Sequence, residues 1–272
     1  MIYVLLPVYN EERGLASLLR RVRDTSRVSA ERWCVLVVDD GSGDDTAQVA
    51  RSFARTLDVW LVSHARNLGL GAALRTGIEL VLEHASEPDD VLVTMDADDS
   101  HDPELVPELV RALRKRSADV AIASRFSRGG AEVGVPLARR ALSRAAALCY
   151  RAVAPMPGVR DYSSGFRAVR VEALRAARAA AGGEIPREGG FTATVELLLR
   201  LRAVNATAAE VPLVVRYDRK ASPSRMRLAA TVGSAGALVA RALVDRLRAV
   251  VAPPGTAALR GRAAAPGAPS AL

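Results

Sequence analysis

The chain has 272 residues, half of them hydrophobic, with 25% charged, 4% aromatic and a formal net charge of +8. That length suits one large domain or one domain with an appendage, and the apolar content supports a sizeable core. The charge points to a phosphate-rich or anionic-membrane partner, or simply to a GC-rich coding sequence that favours Arg and Ala. Charge alone does not make a nucleic-acid reader, and with so few aromatics no aromatic-rich basic motif is present. Cys34 and Cys149 fit no metal spacing and read as reduced core residues, and the three histidines form no obvious ligand set. No signal peptide is expected before the first strand, and no apolar stretch reaches the roughly 18 residues of a spanning helix.

In chain order, short β-branched runs alternate with segments of helical period. Strands are expected at 2–8, 34–40, 59–65, 91–97 and 119–125, with helices at about 11–24, 44–56, 70–85 and 103–116. Strand runs that are apolar throughout suit a parallel sheet covered on both faces. The expected fold is therefore α/β, an open doubly wound, mostly parallel sheet with helices on both faces. Asn10 is expected to cap the first helix, and Ser42-Gly43-Asp44-Asp45 to form a capping box for the second. Beyond residue 126 the regularity weakens. Residues 137–153 and 191–203 read as helices, 209–217 as a strand and 226–251 as one long helix. The uncharged centre of that last helix is only 13 residues. Residues 252–272 are rich in Pro, Ala and Gly and are expected to be disordered.

Polar clusters follow the strand ends: Asn10-Glu11-Glu12, Asp39-Asp40-Gly41-Ser42, Arg66-Asn67, Asp96-Ala97-Asp98 and Ser124-Arg125. In open α/β sheets, ligands bind outside the carboxyl ends of the strands, so these clusters point to one site assembled from distant sequence. The densest is VTMDADDSHDP, with four aspartates between positions 96 and 102. In an extended segment Asp96 and Asp98 share one side, where they repel unless a cation sits between them. Hard oxygen ligands favour Mg²⁺ or Mn²⁺, and Mg²⁺ commonly takes one or two carboxylates plus substrate phosphates. A calcium loop of the EF-hand type does not fit, because His101 and Pro107 stand where Gly and Glu are required. Asp102 is well placed to cap a helix starting near Pro103.

PVYNEE, VVDDGSGDDT, RNLGLGAALRTGI and MDADDSHDP, in that order, resemble a family 2 glycosyltransferase with the GT-A nucleotide-sugar fold. The later segments ASRF…GG, PLARRALSR, YSSGFRAVR and EVPLVVRYDRKASPSRM are similar to dolichol- or polyprenyl-phosphate mannosyltransferases of the type without transmembrane helices. The resemblance implies a catalytic domain over 1–225, with a nucleotide-sugar half (1–125) and an acceptor half (126–225). It implies that Pro7, Tyr9, Glu11, Asp40, Asn67 and Arg219 bind the donor, with Asp40 accepting hydrogen bonds from the base. It implies that Asp96 and Asp98 hold the metal, with Ser100 where relatives often carry a further ligand. Arg125 and Arg139 match arginines that hold the acceptor phosphate. The implied reaction is metal-dependent, inverting transfer of mannose from GDP-mannose to a polyprenyl phosphate; the alternative is UDP-glucose or another UDP-sugar as donor, with a polyprenyl phosphate or a different glycan or lipid as acceptor.

Such an acceptor places the enzyme on the cytoplasmic face of a membrane. Residues 137–153 carry four arginines beside leucines, the pattern of an interfacial helix and equally of a helix packed on the sheet. The helix at 226–251 is a second candidate for surface contact or for a membrane-protein partner. Glu196 stands where relatives carry an acidic residue; a loop-positioning role or an ion pair with Arg200 at i+4 is favoured over that of a base. No nucleic-acid partner is expected.

Overall fold

The computed structural model describes residues 1–219 and, beyond them, positions 233, 236, 237, 239 and 240. The long helix expected at 226–251 therefore lies almost wholly outside the described residues, and the tail at 252–272 entirely so.

The elements are β1 (Ile2–Val8), α1 (Glu12–Val28), β2 (Trp33–Asp39), α2 (Thr46–Ser52), β3 (Val59–Ser63), α3 (Leu70–His84), β4 (Val91–Thr94), α4 (Val106–Lys115), β5 (Val120–Ser124), β6 (Ala131–Val133), α5 (Leu137–Val153), β7 (Arg167–Arg170), α6 (Val171–Ala181), α7 (Thr192–Ala203), β8 (Ala208–Pro212) and β9 (Val214–Arg216). Single 3₁₀ turns cover Pro103–Leu105 and Tyr217–Arg219. One seven-stranded sheet runs β3-β2-β1-β4-β7-β5-β8, and β6 pairs with β9 in a separate ribbon. All pairings in the large sheet are parallel except those of β7, which is antiparallel to both β4 and β5.

Alternation along each strand sends side chains to two cores. Ile2, Val4, Leu6 and Val8 of β1 join a core covered by α1 and α4, whereas Tyr3 and Leu5 join one covered by α3, α6 and α7. Helix α1 buries Leu15, Leu18, Leu19 and Val22, the spacing of one helical face. The order reverses between β1, which leads to β2 and β3 on one side, and β4 on the other. That switch point opens a crevice at the carboxyl ends of β1 and β4.

Strand β7 and helix α6 went unread in the sequence because Arg167-Ala-Val-Arg170 carries two arginines and does not look like a central strand. Arg167 is nonetheless fully buried there. The caps also differ from expectation. The residue before α1 is Glu11, with no side-chain cap bond. Asn10 instead has φ 49°, and its Oδ1 accepts the Gly43 N–H at 2.7 Å while Ser42 Oγ accepts the Asn10 N–H at 2.8 Å. The box at 42–45 is replaced by Asp44, whose Oδ1 accepts the Thr46 N–H at 3.1 Å. Because β1 and β2 pair in register, their following loops lie side by side and satisfy each other's backbone groups. Asp102 does cap the 3₁₀ turn, accepting the Glu104 N–H. Both cysteines are free, but Cys149 is exposed on α5 rather than in the core.

Candidate active site

Asp96 and Asp98 follow β4 at the switch point. Asp98 Oδ1 accepts the Ser100 N–H at 3.1 Å and the Ser100 hydroxyl at 2.5 Å, so Ser100 is turned onto Asp98 and orients that carboxylate. His101, unread as a site residue, lies beneath Asp96. Its Nδ1 accepts the Asp96 N–H at 3.1 Å, and its ring stacks on Phe166 with centroids 5.1 Å apart. With Nδ1 accepting, the ring proton sits on Nε2, 3.8 Å from Asp96 Oδ2.

The other two aspartates of the cluster have different work. Arg21 on α1 pairs with Asp99 Oδ1 at 2.8 Å and Asp102 Oδ1 at 2.6 Å, and Ser17 donates to Asp99 Oδ2 at 2.7 Å. Half the acidic crowd is thereby paired with one arginine, which offsets one of the two charges and pins the loop to α1. Gly14 makes that contact possible: a Cβ there would stand 3.2 Å from both the Ala97 carbonyl oxygen and the Asp98 Cα.

Asp40 is buried at the end of the β2 segment. It accepts the Leu68 N–H at 2.9 Å and the Gly69 N–H at 2.7 Å, and Oδ1 lies 2.7 Å from His64 Nδ1. His64 Nε2 then meets Thr76 Oγ1 at 2.9 Å. A carboxylate offers about four lone-pair sites. With three occupied by the protein and the side chain 4% exposed, Asp40 keeps at most one acceptor position for a further donor. Asn67 lies exposed in the loop folded around Asp40. Tyr9 and Glu11 follow β1 in the loop that flanks the crevice, while Pro7 lies within β1 opposite Val38. The Glu11 N–H is held by Thr46 Oγ1 at 2.9 Å.

The arginines arrive from later elements. Arg125, just past β5, forms a two-pronged ion pair with the fully buried Asp161 (Nε–Oδ2 2.8 Å, Nη2–Oδ1 2.7 Å) and donates to Ser163 Oγ at 2.7 Å. Its Nη1 faces Glu132 at 3.7 Å. Burial opposes the charge on Arg125, but the Asp161 bonds, with Glu132 and Asp96 nearby, outweigh it and raise its pKa. Burial likewise pushes Asp161 up, yet the Arg125 pair brings its pKa below the usual carboxylate range. Asp161 also accepts the Ser163 and Ser164 N–H groups, and Glu210 accepts the N–H groups of Arg160 and Asp161, the latter at 2.8 Å. Arg167 lies within electrostatic reach of Asp161. Its Nη2 donates to the Tyr162 carbonyl at 2.6 Å and its Nη1 to that of Thr194, and burial lowers its pKa to about 10. The only trace of Asp161 in the sequence is an acid two and three residues before paired serines, which reads as a turn.

Arg139, on the first turn of α5, donates to Tyr217 Oη at 2.8 Å and lies 5.2 Å from the centre of that ring. The Arg216 N–H donates to the Ser100 carbonyl at 3.1 Å, so the 214–219 segment is tied to the aspartate loop. Arg219 lies 3.9 Å from Asp102. Arg219 thus faces the aspartate loop directly, Arg139 contacts Tyr217 of the segment that is tied to it, and Arg125 lies within electrostatic reach of Asp96. Glu196 is buried. Its Oε2 accepts the N–H groups of Arg187 (2.8 Å) and Glu188 (2.6 Å), and Oε1 pairs with Arg200 at i+4, 3.0 Å away. It positions the 187–190 loop, which packs so closely on α3 that a Cβ on Gly71 would overlap the Glu188 carbonyl.

A family model described as "Glycosyl transferase family 2" matches residues 3–177. The chain belongs to glycosyltransferase family 2. As a family 2 glycosyltransferase it is similar to an undecaprenyl-phosphate mannosyltransferase of Micrococcus luteus, 33% identical over 248 residues that cover 91% of this chain and 93% of that protein. A polyprenol monophosphomannose synthase of Mycolicibacterium smegmatis is 36% identical over 173 residues, 63% of this chain and 62% of the relative. Among solved structures, glucosyl-3-phosphoglycerate synthase from Mycobacterium tuberculosis, in complex with Mn²⁺, UDP and phosphoglyceric acid, aligns over 90% of this chain and 78% of that one with TM-score 0.62. At 24% identity that likeness is one of fold, and the fold of this glycosyltransferase is GT-A.

The donor set suits a hard divalent cation. Among the described residues no three His, Cys, Asp or Glu side chains form a self-sufficient metal cage. Two carboxylates at a strand end, with the remaining positions left to phosphate and water, are what Mg²⁺ commonly uses.

Proposed function

We propose that this glycosyltransferase transfers mannose from GDP-mannose to a polyprenyl phosphate at the cytoplasmic face of a membrane, inverting the anomeric centre. One observation carries the reading: two carboxylates at the sheet's switch point, with Arg125 within electrostatic reach of Asp96, Arg219 3.9 Å from Asp102 and Arg139 bonded to Tyr217 in the segment tied to the Ser100 carbonyl. The near full-length similarity to an undecaprenyl-phosphate mannosyltransferase supports the choice of sugar and acceptor.

Asp96 and Asp98 would hold Mg²⁺ or Mn²⁺, which when bound stabilises the negative charge that develops on a departing nucleoside diphosphate. The chain's own residues arrange the rest. Ser100 orients the Asp98 carboxylate, and His101 holds the Asp96 backbone N–H with its ring 3.8 Å from the Asp96 carboxylate. Asp40 takes one ring N–H of the base, and Tyr9, Glu11 and Asn67 stand beside it. Arg125 and Arg139 hold the acceptor phosphate against an anionic donor. A phosphate monoester, with a second pKa of about 6, is already mostly dianionic at neutral pH. It needs no general base, which agrees with Glu196 being committed to the 187–188 backbone. The exposed side of α5, with Leu137 and Leu148 uncovered and no acidic residue along the helix, suits contact with a bilayer surface. No helix among the described residues is long and apolar enough to cross one.

A UDP-sugar donor is the second reading. It is favoured by the single acceptor position left on Asp40, which suits uracil, with one N–H, better than guanine, whose ring N–H and exocyclic N–H would ask for two.

The test is to incubate purified protein and membranes with radiolabelled GDP-mannose, UDP-glucose and other nucleotide sugars, with and without excess EDTA. Label from GDP-mannose should enter the lipid fraction, and EDTA should stop it. Transfer from a UDP-sugar alone would replace the donor, and undiminished transfer in EDTA would end the metal assignment.

A further inference from the structure

Apart from the crevice described above, the molecule carries a basic groove along its far edge. β8 is the edge strand of the large sheet, opposite β3. The loop from 155 to 160 runs beside it, and between them lies a groove of about 590 Å³ lined by Arg116, Arg151, Arg160 and Glu210, with Pro157 and Met156 as apolar wall. The three arginines come from three places: the end of α4, the end of α5 and the loop before Asp161. All three are exposed. Among the described residues, none of the three guanidinium groups has a hydrogen-bond or carboxylate partner. Glu210 supplies one negative charge, and its Oε1 is occupied by the N–H groups of Arg160 and Asp161. The groove therefore keeps an excess of about two positive charges with planar donors available, the chemistry that recognises a phosphate group.

What shares the groove's rim identifies the ligand. Arg151 belongs both to the groove and to the outer side of α5. At 100° per residue, Leu137, Arg144, Leu148 and Arg151 fall within one narrow sector of that helix, and Leu137 and Leu148 are 77% and 63% exposed. A ligand whose phosphate enters the groove would lay its apolar part along Leu148. We infer that the Arg116–Arg151–Arg160 groove binds the phosphate headgroup of an anionic membrane lipid, as a docking site separate from the acceptor site. The other end of α5 carries Arg139, so such docking holds the helix against the bilayer with the active-site end toward the acceptor. The inference rests on the lipid-acceptor reading.

The experiment is co-sedimentation of the full chain with vesicles of pure phosphatidylcholine and of phosphatidylcholine with 30% phosphatidylglycerol, run beside sugar transfer to a short-chain, water-soluble polyprenyl phosphate. R116Q/R151Q/R160Q should weaken partition to the anionic vesicles by about 100-fold, the equivalent of about 1 kcal/mol for each charge. Transfer to the soluble acceptor should be unchanged. R27Q/R51Q/R55Q, which removes the same charge from exposed positions on α1 and near the β3 edge, should lose much less. Equal losses in the two triples would overturn the site by showing only a diffuse charge effect. Saturation of the groove by micromolar inorganic phosphate without vesicles would overturn the lipid assignment. If the soluble acceptor were never glycosylated while the vesicle result held, the acceptor reading would fail and the docking site would stand.

Discussion

Asp161→Ala tests the arrangement most directly. In the folded chain Asp161 is fully buried and accepts hydrogen bonds from Arg125 Nε, Nη2 and backbone N and from the Ser163 and Ser164 N–H groups. Removing it strands the guanidinium of Arg125, which is largely buried, and takes away the countercharge near the fully buried Arg167. Breaking a buried ion pair by deleting one partner costs about 3–5 kcal/mol. For a chain of this size that is a fall in Tm of roughly 6–20 °C. Urea unfolding should show the same loss as a lower midpoint at unchanged slope. The pH dependence has a definite sign. Because its folded pKa is depressed, Asp161 contributes its full stability above the unfolded carboxylate range, and that contribution is lost as pH falls through the lower folded value. The difference between wild type and variant should therefore be constant from about pH 5 to 8 and shrink below about pH 4. Acceptor KM should rise as well, since Arg125 loses its orientation. A variant within about 1 kcal/mol of wild type, with a flat pH dependence, would show that the pair is an ordinary surface contact and sink the reasoning.

Asp98→Ala should leave the unfolding transition nearly intact and cut turnover by roughly 10³ or more, because several kcal/mol of transition-state stabilisation go with a metal ligand; normal turnover would refute the assignment. Arg139→Ala removes the contact with Tyr217 and should raise the KM for lipid phosphate more than for donor; steady-state kinetics showing equal effects would place it elsewhere. Glu196→Gln should lower Tm yet reduce kcat by less than about tenfold, whereas a general base would cost about 10²–10⁴. Gly14→Ala sets two effects against each other: the helix gains about 1 kcal/mol of propensity, while the new Cβ presses on the Asp98 backbone. Thermal unfolding should change little, and kcat should fall by roughly tenfold or more from displaced carboxylates.

Much of this molecule was legible from side-chain pattern alone. All five strands through Ser124 and the four helices between them lie within a few residues of the reading, because the helices bury a face that recurs at period 3.6 and most of the strands are continuous apolar runs buried on both faces. The polar clusters at the strand ends fall where the parallel sheet turns its carboxyl edge. Other features depended on neighbours far apart in the chain. β7 is central only because β4 and β5 bracket it, and its buried arginine finds carbonyls at Tyr162 and Thr194. Asn10 bonds across to the β2–α2 loop instead of capping its own helix.

The amino-acid order by itself determined the α/β alternation, the site's edge and the presence of two aspartates suited to a cation, since those follow from local hydrophobicity and spacing. Only the tertiary structure decided which acids are available. Arg21 pairs with Asp99 and Asp102, Asp161 claims the Nε–Nη2 edge of Arg125, and the 68–69 backbone with His64 fills most of Asp40. The physical reason is that a charged side chain's role is set by the partners that desolvate and neutralise it, and such partners can be distant in sequence, as Arg21 and Asp99 are, 78 positions apart but 2.8 Å from each other in space.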